Sequence, residues 1–249
     1  MPAPTSTLPP EHHAAALAEN LAGVRERIRA AARRAGRDGD AVRLVAVTKT
    51  VAASVAIDVA RLGTLDLGEN RADVLEAKAA EVARAGLAPR WHFVGHLQRN
   101  KAAAVARIAS LVHSVDSVRL LETLDRLSGE AGRTLDVLAQ VKLAHEPSKS
   151  GLDPRDLAAF LARGRTLANV RVIGLMAMGP LEADPARQAD LARDVFRRAA
   201  DLAREYRASF EREPELSLGM SGDFEIAIEE GATIVRVGST LFPNAGGAA

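Results

Sequence analysis

The sequence predicts an α/β fold built as a single TIM-type (β/α)8 barrel. Short apolar strands alternate strictly with helical segments, there are eight such strands, and polar and glycine-rich residues collect where the strands end. Strict alternation argues for a parallel sheet. Eight units argue for closure rather than an open sheet. A doubly wound fold is the alternative, but no G-x-G-x-x-G follows the first strand.

The elements follow in order. Residues 1–10, rich in Pro, Ser and Thr, read as a disordered lead, and 11–36 have the periodicity of a long Arg-studded helix stopped near Gly36 and Gly39. RLVAV (43–47) is a buried strand, followed by a helix over 52–62. TLDL (64–67) is a strand, then a helix over 71–85 with Glu and Lys on its outer face. WHFV (91–94), SLVHS (110–114), TLDVLAQVKL (134–143) and VRVIGLM (170–176) are strands, with helices over 99–108, 117–131, 154–163 and 185–207 between and after them. ELSLG (215–219), a short helix over 223–230 and TIVRVG (233–238) complete the set. The helix ahead of the first strand fills the eighth outer position. The barrel is expected over 11–242, with 243–249 a flexible tail.

A chain of 249 residues is near the ~250 that such a barrel needs. Its 33 Lys plus Arg against 32 Asp plus Glu exert no general pull on nucleic acid or an anionic membrane. With 3% aromatics, base-stacking platforms are missing. The absence of cysteine excludes disulfides, thiolate metal sites and cysteine nucleophiles. No secretory signal opens the chain, and no uncharged apolar run approaches the roughly 18 residues of a membrane span. A cytoplasmic location is the expectation.

Barrels of this type place function at the C-terminal ends of their strands. Lys49 follows RLVAVT there. Partial desolvation is expected to lower its pKa, and a neutral amine attacks aldehydes to form an imine; the alternative is a lysine snorkelling from the rim. Gly219, Ser221 and Gly222 precede a short helix, while Gly238, Ser239 and Thr240 follow the last strand. Loops after strands seven and eight frequently bind phosphate, through backbone N–H groups and a helix N-terminus; the alternative is ordinary turns and caps. Arg236, between valines, needs a partner. If Ile234 and Arg236 face the lumen, the guanidinium points at the ligand; the alternative is an ion pair with Glu69 or Asp223. His92 and His96, four apart on a strand and its loop, complete no metal set. Arg99 and Lys101 read as a solvated face.

These motifs add up to a resemblance. LVAVTKTV, LGENR, WHFVGHLQRNK, HSVDS, VLAQVKLAHEPSKSGL, GLMAMGP and LSLGMSGDFEIAIEEGATIVRVGSTLF span residues 43–242. Together they resemble the pyridoxal 5′-phosphate (PLP) homeostasis family, often called the YggS or PROSC family. The resemblance implies a fold type III PLP-binding barrel, like the N-terminal domain of alanine racemase, with Lys49 carrying the Schiff base. It implies that Ser221, Gly238 and Ser239 hold the phosphate with backbone help from Met220, that Arg236 faces the pyridine nitrogen, and that Asn70 lies near the ring. It further implies a monomer that buffers or delivers PLP to dependent apoenzymes without robust turnover. Arg71, His96 and Lys142 depart from the family pattern, as does the PNAGG ending; they put contacts around the open face in doubt.

Two other functions remain open to sequence reasoning. A racemase or decarboxylase of the same fold type needs an acid/base on each face of its carbanion, and the only tyrosine, Tyr206, falls in an outer helix. A Schiff-base aldolase is expected to carry its lysine on a later strand.

Overall fold

The computed structural model describes residues 10–144, 150–180, 182 and 184–243. Eight parallel strands close into a barrel in chain order: β1 (Arg43–Val47), β2 (Asp66–Glu69), β3 (Arg90–Phe93), β4 (Leu111–Val115), β5 (Leu135–Gln140), β6 (Val170–Met176), β7 (Glu215–Ser217) and β8 (Ile234–Val237). Closure is made by β1 against β8, with Arg43 beside Ile234 and Ala46 beside Val237. Helices α2 (Ala53–Arg61), α3 (Ala72–Arg84), α4 (Ala102–Ile108), α5 (Val118–Glu130), α6 (Leu157–Gly164), α7 (Pro185–Glu205) and α8 (Phe224–Glu229) separate the strands. Helix α1 (Pro10–Arg34) precedes them and takes the eighth outer place. It buries Leu17, Leu21, Val24, Ile28, Ala31 and Ala32, a stripe at helical spacing. Its charged face reaches α8 through Arg27–Glu225 at 2.6 Å and Arg34–Glu229 at 2.8 Å.

Two apolar layers follow from strand alternation. On β8, Val235 and Val237 join the outer core between sheet and helices, whereas Ile234 turns into the lumen. There it packs with Val45, Val47, Leu111, Leu138, Ile173 and Met176. Arg236 therefore faces the lumen as well, as the sequence pattern requires.

Several boundaries move. Strand β2 runs two residues later than 64–67, because pairing starts at Asp66 against Arg90 and leaves Leu65 43% exposed. Strand β5 stops at Gln140 rather than 143, since Val141 turns to bridge Leu152. Strand β7 ends at Ser217; Gly219 has a φ of 78°, which no extended strand accommodates. Residues 1–10 and 243–249, expected as lead and tail, lie outside the described residues, apart from Pro10, which opens α1, and Pro243.

Candidate functional site

A cavity of about 690 Å³ opens at the C-terminal mouth of the barrel. Lys49, Asn70, Met220, Ser221, Arg236, Gly238 and Ser239 all border it, from the ends of β1, β2, β7 and β8. The volume lies inside the range of small-molecule and cofactor sites.

Lys49 is the second residue of a turn closed by Val51 N–H to the Thr48 carbonyl at 3.1 Å. It is exposed, while Thr48 is buried. The expected desolvation is thus corrected: β1 ends at Val47, so Lys49 stands two residues beyond the apolar strand. What fixes the turn lies beneath it. Lys78, on α3, donates to the carbonyls of Thr48 (2.8 Å) and Val51 (2.9 Å) and pairs with Glu69 at 2.5 Å. Glu69 also accepts from the Thr48 hydroxyl at 2.6 Å. The Lys78 and Glu69 side chains are 6% and 0% exposed. Lys78 was expected on the outer face of its helix. It is drawn inward because Glu69, at the barrel end of β2, is buried and needs a cation. Only the two carbonyls and the carboxylate, contributed by separate segments, make that lysine recognisable.

Asn70 is half-buried, and the loop after β3 lies directly on it. A Cβ on Gly95 would come within 2.2 Å of the Asn70 carbonyl oxygen, so only glycine permits this approach.

The two loops after β7 and β8 meet at Ser221. Its hydroxyl accepts from the N–H of Gly238 at 3.2 Å and of Thr240 at 3.3 Å, so two backbone donors converge on one point at the cavity edge. The Met220 N–H is differently placed: it donates to the Asp223 carboxylate at 2.6 Å. The Met220 donor is thus engaged by Asp223, as those of Gly238 and Thr240 are by Ser221. Helix α8 has six residues.

Arg236 is 4% exposed; of the two carboxylates offered as alternative partners, Glu69 pairs with Lys78 instead, while the charge of Asp223 acts on the guanidinium. Nη1 donates to the carbonyl (2.7 Å) and hydroxyl (2.5 Å) of Ser217, and Nη2 to the carbonyl of Ala177 at 3.2 Å. Burial lowers its pKa to about 10, with the Asp223 charge opposing, so it remains a cation at neutral pH. Behind Ser217 lie His113 and His92, both buried in the lumen. The sequence reading gave the histidines little weight. The available signal was alternation: in WHF, the outer-layer residues Trp91 and Phe93 flank His92, which must face inward. His96, at the rim, stands 3.7 Å from Asp116. Arg71 is exposed and pairs with Asp73 at 2.7 Å. Among the described residues no cluster of His, Cys, Asp or Glu is arranged to hold a metal. No helix there is long and apolar enough to cross a membrane.

The family model of the alanine racemase N-terminal domain matches residues 19–244. A pyridoxal phosphate homeostasis protein of Pseudomonas aeruginosa is 39% identical over 226 residues, which are 91% of this chain and 94% of that protein. One of Aquifex aeolicus is 37% identical over 224 residues, 90% and 96% of the two chains. The chain belongs to the pyridoxal phosphate homeostasis family. Within reach of that family, the solved structure of PipY from Synechococcus elongatus with PLP bound matches with a TM-score of 0.77 at 36% identity, over 91% of this chain and 99% of PipY. An alanine racemase of Corynebacterium glutamicum shares the fold, with a TM-score of 0.64 at 19% identity, over 91% of this chain and 60% of the racemase. The Pseudomonas aeruginosa and Aquifex aeolicus relatives are named for homeostasis rather than for a reaction.

Proposed function

We infer that this protein holds PLP as a Schiff base on Lys49 and serves intracellular PLP homeostasis, by buffering or delivering the cofactor. The observation that carries this reading is the convergence of all seven site residues on one cavity, with an exposed amine at one edge and two backbone donors at another. When bound, PLP supplies an aldehyde that a lysine amine captures reversibly.

The chain's own residues supply the rest. The turn pinned by Lys78 presents the Lys49 amine at the mouth. Ser221 and the N–H groups of Gly238 and Thr240, beside Ser239, provide the donors that a phosphate needs. Asn70 lines the wall where the ring lies. Arg236 places a buried cation toward the ring nitrogen, which disfavours protonation of that nitrogen and weakens the ring as an electron sink. That charge supports holding over robust turnover. So does the place of Tyr206, which comes just after α7 as the chain returns to the strand N-termini, away from the mouth. An exposed Lys49 suits release to PLP-dependent apoenzymes by a monomer in the cytoplasm.

The test is an absorbance spectrum of the pure protein with added PLP, before and after borohydride reduction, followed by peptide mapping. A yellow band that reduction fixes onto Lys49 supports the reading. Label scattered over surface lysines, or no band, overturns it. Stereospecific turnover of an amino acid at a metabolic rate favours the racemase alternative.

A further inference from the structure

A single file of hydrogen bonds crosses the barrel lumen from the cavity to the opposite mouth. Arg236 Nη1 meets Ser217 Oγ at 2.5 Å, Ser217 Oγ meets His113 Nδ1 at 2.7 Å, and His113 Nε2 meets His92 Nδ1 at 2.8 Å. His92 Nε2 then meets Asp66 Oδ1 at 2.8 Å. Arg90 grips Asp66 with two bonds of 2.7 and 2.5 Å. Asp66 and Arg90 border a separate polar cavity of about 480 Å³ at the strand N-termini, together with Arg43 and Glu215.

The direction of every proton in this file follows from its acidic end. Asp66, held by Arg90, is a carboxylate and only accepts. His92 must therefore carry its proton on Nε2. A neutral imidazole then accepts at Nδ1, so His113 donates from its own Nε2. His113 in turn accepts at Nδ1, which leaves the Ser217 hydroxyl donating to His113 and accepting from Arg236. The reverse polarity would set two acceptors face to face at Asp66, unless His92 were a cation. A cation is disfavoured at both rings: at His92 burial outweighs the hydrogen bond and charge of Asp66, with Arg43 and Arg90 adding to burial, and at His113 burial dominates, with Arg236 and Arg43 adding to it.

We propose that Asp66, His92, His113 and Ser217 are positioning residues for Arg236. This file, polarised by the Asp66 carboxylate, fixes the guanidinium in the orientation from which it meets the ring of a bound PLP. The proposal rests on the functional reading above and extends it. It gives the lumen histidines, which touch no part of the mouth cavity, a role in setting the cofactor's environment. It also makes the acid at the far mouth part of the same device.

Two measurements on the full chain test it. Long-range proton–nitrogen correlation spectra of the imidazoles, taken without PLP at pH 7 and assigned with His92→Gln and His113→Gln, should show two neutral rings protonated at Nε2. An imidazolium or an Nδ1-protonated ring at either position overturns the file. The second variant is Ser217→Ala, which removes one hydroxyl and nothing else. It should shift the His113 resonances, change the absorbance of bound PLP and weaken PLP binding about tenfold, the scale of one charged hydrogen bond. Ser217→Thr, which keeps the hydroxyl, should restore both. Unchanged PLP spectrum and affinity in Ser217→Ala overturn the positioning role. Failure of the wild-type protein to take up PLP would sink the functional reading instead, and the imidazole tautomers would still decide whether the file is oriented.

Discussion

The two halves of the barrel lumen are built on opposite terms. At the strand C-termini, the lumen opens into a cavity edged by glycines, an exposed lysine and backbone donors gathered on one serine. Toward the N-termini, apolar side chains such as Val45, Leu111, Leu138 and Ile234 close the space, and each polar group of the central file is bonded to the next. Buried polar groups are stable only when satisfied, so the lower half cannot change without loss. The upper half leaves its polar groups near solvent, where a ligand can take them. Substitutions at the mouth should therefore cost binding alone, and substitutions below it should cost folding, with binding affected only where, as at Ser217, they reach Arg236.

The largest expected effect is on binding alone. Lys49→Ala should abolish borohydride-fixed PLP while shifting folding free energy by less than about 0.5 kcal/mol, the scale for exposed positions. A large drop in the urea midpoint without PLP would break the comparison at its upper edge. Just beneath, the opposite is expected. Lys78→Met leaves the buried Glu69 carboxylate without its cation, at a cost of about 3–5 kcal/mol, read as a lower urea midpoint at constant slope. Near-normal stability would mean that the turn carrying Lys49 needs no buried support.

The floor of the barrel also predicts a pH dependence. Burial holds both His92 and His113 below the ordinary histidine range, although Asp66 opposes this at His92. In the unfolded chain each titrates near ~6.5. The unfolded state then binds protons that the folded state refuses, so stability is full above about pH 6.5 and falls as the pH drops, by at most about 1.4 kcal/mol per pH unit for each ring. At Asp66, burial pushes upward, but the hydrogen bonds from Arg90 and His92 and the charge of Arg90 outweigh it and hold the carboxyl low. That stability is present above an unfolded value of about 4 and is lost on further acidification. Urea midpoints measured without PLP should decline from about pH 6.5 downward, and His113→Gln should make the first part of that decline shallower. A flat wild-type profile between pH 6.5 and 4.5 would contradict the neutral histidines. The smallest effect returns to the mouth: Ser221→Ala should weaken PLP binding about tenfold, roughly 1.4 kcal/mol, with little change in the melt.

Comparing sequence with structure separates what pattern can carry from what it cannot. The alternation of strands and helices was legible because each element buries one face at its own period, as in α1 and in the Val235–Val237 stretch of β8. The mouth was legible for a related reason: barrel strands all point the same way, so reading their last residues in order lists one surface. Lys49, Ser221, Gly238 and Ser239 are legible in this way, Arg236 from its place between valines, and Asn70 and Met220 from the family resemblance; all seven border one cavity. Exposure was not legible. The pattern predicts a partly desolvated Lys49, yet the turn that follows Val47 carries it to solvent.

The sequence by itself therefore determined the barrel, its closure and the residues at its mouth, since these depend on periodicity and order along the chain. Tertiary structure alone decided which polar groups pair across the lumen: Lys78 with Glu69, and Asp66 through His92 and His113 to Ser217 and Arg236. Those partners come from different strands or a helix, up to 104 residues apart. Their pairing is set by the stagger of strands around a closed barrel, and no local period encodes that.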